Sequence, residues 1–179
     1  LEVKDINNNK AATKMDVLNQ KVEANGNAAY NEMYYSGGEI FRDGGFWLGQ
    51  EVRNFNGIRT DEKAHTGKYS IATTNTSQFG VFMRNGHRPG KYKISVWAHK
   101  DNYLKARLRW FNNDAVNTFD FNGEKVFAGD WVLLNHYTDV HYMDNANAYW
   151  YVNSDDNTTV YFDDLMIRPI ASSITGYVY

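Results

Sequence analysis

The sequence predicts an all-β fold, a sandwich of two antiparallel sheets, and three observations predict it. Aromatic residues make up 16% of the 179 residues, with 13 Tyr and 5 Trp, while Pro89 and Pro169 are the two prolines. Tyr, Trp, Val and Thr suit a pleated, half-buried surface, and abundant Asn and Gly suit turns. Several segments alternate polar and apolar residues with a period of two, as a strand with one buried face must. Turn signals recur at short spacing, with no amphipathic helix of three turns between them. A chain of this length can build one two-sheet core without disulfide staples, and it contains no cysteine.

Taken in order, residues 1–34 differ from the rest. They hold Asn7-Asn8-Asn9, the pair Ala11-Ala12 and a sparse apolar repeat at Met15, Val17, Leu18 and Val22. They read as an N-terminal strand plus connecting segment, and strand character begins at Tyr34-Tyr35. Gly44-Gly45-Phe46-Trp47 reads as a tight turn followed by large aromatics, with Trp47 plugging one end of the sandwich. Tyr69-Ser70-Ile71-Ala72 and Val81-Phe82-Met83 read as short strands, the second closed by the turn Arg84-Asn85-Gly86.

The clearest strand is 91–100. Tyr92, Ile94, Val96 and Ala98 form one face, and Lys93, Ser95, Trp97 and His99 the other. The next, 104–111, repeats the pattern, with Leu104, Ala106, Leu108 and Trp110 opposed to Lys105, Arg107, Arg109 and Phe111. Asp101-Asn102 between them signals a hairpin. Further strands are expected at 119–121, 131–137, 147–153 and 159–167, separated by Asn122-Gly123, Gly129-Asp130 and the polar run 154–157. Trp110, Trp131 and Trp150 are expected in the core.

The same sequence excludes several functions. A net charge of -2, with no basic run interleaved with aromatics, argues against nucleic acid and against an anionic membrane surface. No apolar run approaches the roughly 18–20 residues that span a bilayer. Without cysteine there is no thiolate zinc site and no cysteine nucleophile. His65, His87, His99, His136 and His141 lack metal-helix spacing. His136 and His141 stand near Asp139 and Asp144 as loop residues commonly do, and His65 is expected to brace its own turn. No nucleophile elbow or phosphate loop occurs, and no carboxylate pair stands out in a patterned strand, so no catalytic residue is assigned.

Three segments carry more than composition. They are Ser36-Gly37-Gly38-Glu39 with the following Phe46-Trp47, the turn Ala64-His65-Thr66-Gly67-Lys68-Tyr69-Ser70, and Val160-Tyr161-Phe162-Asp163-Asp164-Leu165-Met166-Ile167. In order and spacing, over residues 35–169, this set resembles the galactose-binding-like jelly rolls of bacterial carbohydrate-binding modules. The resemblance implies a jelly-roll β-sandwich and a non-catalytic domain that holds a polysaccharide or oligosaccharide. It also implies a structural calcium ion. Glu39 would supply a carboxylate, Thr66 and Lys68 carbonyl oxygens, and Asp163 or Asp164 would close the site, since calcium takes about 6–8 oxygens. Alternation sets Asp163 with Leu165 and Ile167, and Asp164 with Phe162 and Met166, so a single member of the pair, Asp163 by preference, is expected to reach the ion. The sequence departs from the family where Gly38-Glu39 stands in place of the usual Phe-Glu.

A glycan would be held by aromatic faces and planar polar groups. Trp97 and His99, Arg107 and Arg109, and Tyr149 and Tyr151 are the candidates for one aromatic and cationic groove, and the two arginines would suit an acidic sugar. The flanks, Glu2-Val3-Lys4-Asp5-Ile6-Asn7-Asn8 and Ile174-Thr175-Gly176-Tyr177-Val178-Tyr179, resemble segments of bacterial YD-repeat (RHS-like) exported proteins. That implies a secreted or cell-surface parent with neighbouring domains as partners. The expected division is a connecting segment at 1–34, the jelly roll at 35–170 and the start of a following segment at 171–179. A spacer domain without sugar binding is the alternative, and a polysaccharide-active enzyme ranks third.

Overall fold

A computed structural model describes residues 1–6, 8–15, 21–39, 52–82, 89–112, 115–140 and 149–177. The expected turns at Phe46-Trp47 and Arg84-Asn85-Gly86, together with Val17, Leu18, His87, His141 and Asp144, lie outside them. In chain order the strands are β1 (Glu2–Lys4), β2 (Lys10–Met15), β3 (Val22–Gly26), β4 (Tyr34–Ser36), β5 (Val52–Phe55), β6 (Ile58–Thr60), β7 (Ser70–Thr73) and β8 (Gln78–Phe82). They continue as β9 (Gly90–His99), β10 (Ala106–Asn112), β11 (Ala115–Phe119), β12 (Val126–Ala128), β13 (Trp131–Val140), β14 (Tyr149–Ser154), β15 (Val160–Pro169) and β16 (Ile174–Gly176).

The protein is the expected all-β jelly-roll sandwich. One sheet runs β12-β13-β9-β15-β7-β6, with β4 also paired to β15, and the other runs β11-β10-β14-β8-β5. The strand pairs within both are antiparallel. We call them the clamp sheet and the open sheet, for reasons given below. The core between them follows from alternation. Tyr92, Ile94, Val96 and Ala98 of β9, with Val132 and Leu134 of β13, face Phe79, Val81, Leu108, Trp150 and Val152 of the open sheet, all buried. Trp110 and Phe119 close over Trp150, at ring separations of 4.8 and 5.6 Å.

Two local expectations are corrected. Leu104 belongs to a short 3-10 turn, Tyr103–Lys105, and is 68% exposed. Asp101-Asn102 does turn the chain, but β9 and β10 do not pair: β9 bonds β13 and β15, whereas β10 bonds β11 and β14. The connection is a corner from one sheet to the other, so a turn signal gave the bend and not the partner.

A third, small sheet runs β1-β2-β3-β16. Residues before and after the sandwich therefore bond one another, Ile174 standing opposite Gly26. Among the described residues its apolar cluster is Ala12, Ala28 and Met33, with Tyr30 and Ile174 against them. Gly176 ties it to the sandwich, since a Cβ there would lie 2.2 Å from the Tyr35 ring. Only a residue without a side chain lets that ring lie where its hydroxyl meets β15.

Candidate functional site

The outer face of the clamp sheet brings the three motifs together. β15 carries a bulge between Asp163 and Met166, and Asp164 has φ 47°. Regular alternation would send Asp164 to the core side with Phe162. The left-handed residue adds one position instead, so Phe162, Leu165 and Ile167 all enter the core. Asp163 and Asp164 both end up at the turn, 1% and 4% exposed. The expectation that one of the two would face away is corrected by this single dihedral.

Segment 61–69 folds over these acids. Asp163 Oδ2 accepts the backbone N–H groups of His65 and Thr66 at 2.8 and 3.2 Å, and Oδ1 accepts its neighbour Asp164 N–H at 2.7 Å. Asp164 accepts the Tyr35 hydroxyl at 2.7 Å and the Thr66 hydroxyl at 2.8 Å, and lies 2.7 Å from His65 Nδ1. Glu39 Oε1 accepts the N–H groups of Lys68 and Tyr69, both at 2.8 Å. Arg59 donates to the carbonyls of Gly38 and Glu39 at 2.8 and 2.6 Å and lies over the Tyr69 ring. Burial, and then the Asp164 charge, raise the Asp163 carboxyl to about 8, against the pull of its three N–H partners. Burial and Asp164 also push the Tyr35 phenol above its ordinary range.

Glu39, Thr66, Lys68, Asp163 and Asp164 thus do meet, and each carboxylate oxygen of the aspartate pair stands against a hydrogen-bonding partner. Calcium wants converging oxygens, carboxylate and carbonyl alike. Here the aspartate oxygens and Glu39 Oε1 face N–H and O–H groups, and Thr66 and Lys68 meet the carboxylates through their N–H groups and the Thr66 hydroxyl. Among the described residues no group of three or more His, Asp or Glu is placed to hold a metal. The arrangement is a hydrogen-bonded clamp.

Trp97 and His99 belong to this clamp. The His65 ring stacks on Trp97 at 4.0 Å and 20°, and Trp131 meets His65 and His99 edge-on at 5.7 and 5.3 Å. His99 is buried, and burial lowers its pKa. Trp131 is likewise buried, but under the turn on the outer face rather than in the sandwich core where it was expected. Periodicity shows which way a side chain points, not whether a distant segment covers it.

The other four candidates lie on the opposite side of the molecule, on the outer face of the open sheet. The single groove expected from all six is therefore corrected to two separate surfaces. Cross-strand register makes a row of Thr118, Arg109, Tyr151 and Gly80. The adjacent row places Val116, Phe111 and Tyr149 side by side, the Phe111 and Tyr149 rings stacking at 4.9 Å. Tyr149 and Tyr151 lie 5.6 Å apart, and the Tyr149 hydroxyl is 3.1 Å from Gln78 Oε1. Tyr151 is 5% exposed and forms floor more than wall. A Cβ at Gly80 would stand 2.5 Å from the Trp150 carbonyl, so β8 and β14 approach closely there only because the residue is glycine.

The two arginines are in different states. Arg107 bonds Asp155 at 3.0 Å, lies 3.5 Å from Asp120, and donates to the carbonyls of Leu104 and Ala106. Arg109 donates through Nε to Asn153 Oδ1 at 2.8 Å and through Nη1 to the Thr118 hydroxyl at 2.7 Å. Asn153 is itself fixed by donating to the Asn75 carbonyl at 3.2 Å. Sequence reading missed Asn153, Thr118 and Phe111. Asn153 extends the Tyr149, Tyr151 alternation by one step, and Phe111 shares the Arg107, Arg109 face, so period two could have found both. Thr118 needs the β10–β11 register.

The sequence matches no protein-family profile and no curated protein. Among solved structures, the CBM22-1 xylan-binding domain from Paenibacillus barcinonensis Xyn10C aligns at a TM-score of 0.46 and 19% identity, covering 75% of this chain and 92% of that one. The C-terminal family 22 carbohydrate-binding module of Clostridium thermocellum Xyn10B aligns at 0.48 and 16%, covering 80% and 97%. The CBM22-1-GH10 modules of the same Clostridium thermocellum enzyme, complexed with xylohexaose, align at 0.49 and 15%, covering 78% of this chain and 29% of theirs. At these scores the likeness carries no argument about ligand or site.

Proposed function

We propose that this chain is a non-catalytic glycan-binding module, and that its binding surface is the outer face of the open sheet around Arg109, Tyr149 and Tyr151. The observation that supports it is the cross-strand array itself. Rings and planar polar groups stand in adjacent rows on rigid strands, each already held by a neighbour. Rings stack on the C–H faces of sugars, and guanidinium and phenol groups serve the hydroxyls, with the buried Asn153 amide holding the guanidinium from behind. Because Arg109, Asn153 and Tyr149 are oriented before any ligand arrives, little side-chain entropy is lost on binding. Arg107, Trp97 and His99 are left out, the first because carboxylates and carbonyls occupy it, the others because they serve the clamp. A secreted or cell-surface setting belongs to the same reading, and among the described residues no helix is long and apolar enough to cross a membrane.

The test is glycan-array screening followed by calorimetry on Tyr149→Ala. Loss of the ring is expected to weaken the best glycan about tenfold, corresponding to about 1.4 kcal/mol, with the circular dichroism spectrum unchanged. A folded protein that retains no glycan of any class would defeat the proposal. One observation favours a spacer role instead: the strands before and after the sandwich bond each other in the small sheet, which fixes the two flanks side by side. That role predicts an intact fold and a blank array.

A further inference from the structure

We infer that the glycan taken by the open sheet carries carboxylates, and that Arg109 is the residue that reads them. This rests on the reading of that face as a glycan site. The charge pattern points the same way at two levels. The five strands of the open sheet read Val-Arg-Asn-Phe, Gln-Phe-Gly-Val-Phe, Ala-Arg-Leu-Arg-Trp-Phe-Asn, Ala-Val-Asn-Thr-Phe and Tyr-Trp-Tyr-Val-Asn-Ser. They hold three arginines and no acidic residue, in a chain whose formal net charge is -2. The acids carried by sandwich strands are in the clamp sheet, as Asp139, Asp163 and Asp164, alongside Arg59, Lys91, Lys93 and Arg168.

At the level of single side chains, Arg107 has its counter-charges in Asp155 and Asp120. Arg109 has none among the described residues. Its two bonds go to a neutral amide and a neutral hydroxyl. They fix the plane of the guanidinium without quenching its charge, and donors remain in the fork for a ligand. A half-buried cation held in this way gains from a planar anion whose two oxygens accept two parallel N–H bonds, a match that a carboxylate offers and a single uncharged hydroxyl does not. The stacked Phe111 and Tyr149 rings stand one row away, within reach of the next part of a sugar ring. Uronic-acid residues combine that carboxylate with an apolar ring face.

The test uses hexamers of galacturonate, glucuronate and mannuronate, each paired with its own carboxyl-reduced neutral form, in calorimetry at low and high salt. At least one acidic hexamer is expected to bind tenfold or more tightly than its reduced partner, with the advantage shrinking as salt rises. Arg109→Gln should weaken both hexamers, the acidic one by the larger factor, so that the advantage falls below twofold. Arg109→Lys, which keeps the charge and loses the fork, should fall between. Equal binding of acidic and reduced hexamers, or equal loss of both in Arg109→Gln, would overturn the inference and leave the glycan-binding proposal standing. Tighter binding of a sulfated hexamer than of every uronate would overturn the carboxylate assignment. No binding of acidic or neutral hexamers, with a blank array, would remove both proposals together.

Discussion

Replacing Asp164 tests the clamp at its most constrained point. The side chain accepts the Tyr35 and Thr66 hydroxyls and lies against His65 Nδ1, and its backbone sits at φ 47°. Asp164→Ala removes all three partners and leaves a left-handed alanine. At about 1–1.5 kcal/mol net for each of the three bonds, and about 1 kcal/mol for the backbone, the loss is about 5 kcal/mol. Asp164→Gly relieves the dihedral and should cost about 4 kcal/mol. Asp164→Asn tolerates the left-handed region and still accepts hydroxyls, so it should cost about 1–2 kcal/mol. For a domain of this size each kcal/mol moves Tm by about 2–4 °C, so the alanine variant should melt about 15 °C below wild type and the asparagine variant about 5 °C below. Scanning calorimetry with and without EDTA is the assay, and chelator should change none of the melts. The reasoning is refuted if alanine costs under about 1 kcal/mol, if asparagine costs as much as alanine, or if EDTA lowers the wild-type Tm, which would put a cation in the clamp.

Two more outcomes follow from the same packing. The Asp163 carboxyl stands at about 8 in the folded protein against an ordinary 3.8, so the native state keeps a proton that the unfolded chain has released. Its contribution is complete below pH ~4 and is lost as pH rises toward ~8, with His65, Asp164 and Tyr35 as its neighbours. Denaturant titrations across that window should show wild type losing stability relative to Asp163→Asn as pH rises, and a flat or rising difference would refute the assignment. Trp97→Ala removes the ring under His65 and should cost about 3 kcal/mol in urea melts while leaving glycan affinity within twofold. A large loss of affinity in a still-folded Trp97→Ala protein would move the binding surface to the clamp sheet.

What the sequence made legible follows from what periodicity can encode. β9 and β14 were readable because each buries one face, and Tyr92, Ile94, Val96 and Ala98 are indeed in the core. The meeting of Glu39, the His65 turn and Asp163-Asp164 was readable from motif order. The bulge was not, because one left-handed residue reverses the facing of everything after it without changing composition. Trp97 and Trp131 misled for another reason: segment 61–69 covers them from outside the strand, and no local pattern records that. Arg107 and Arg109 are indistinguishable in an alternating strand. Their difference depends on Asp155 and Asp120, which only the folded chain brings to Arg107. The N-terminal strands were underread because the apolar residues they bury are, among the described residues, mostly small, Ala12, Ala24, Ala28 and Ala29 beside Met33.

The two outer faces of the sandwich have been put to opposite uses. On the clamp sheet, Asp163, Asp164, Ser95, His99 and Asn135 are polar and buried, and their bonds are satisfied within the protein. That network fixes how β15 meets the turn. That bulge sets Phe162, Leu165 and Ile167 in one core with Leu108 and Val152. Arg109 and Tyr151 are the next residues along β10 and the preceding residue along β14, and they point the other way. The clamp and the open face are therefore backed by one and the same core. A variant that loosens the clamp should lower affinity only in proportion to the unfolded fraction, whereas one that disturbs the Arg109 row should lower affinity at full fold.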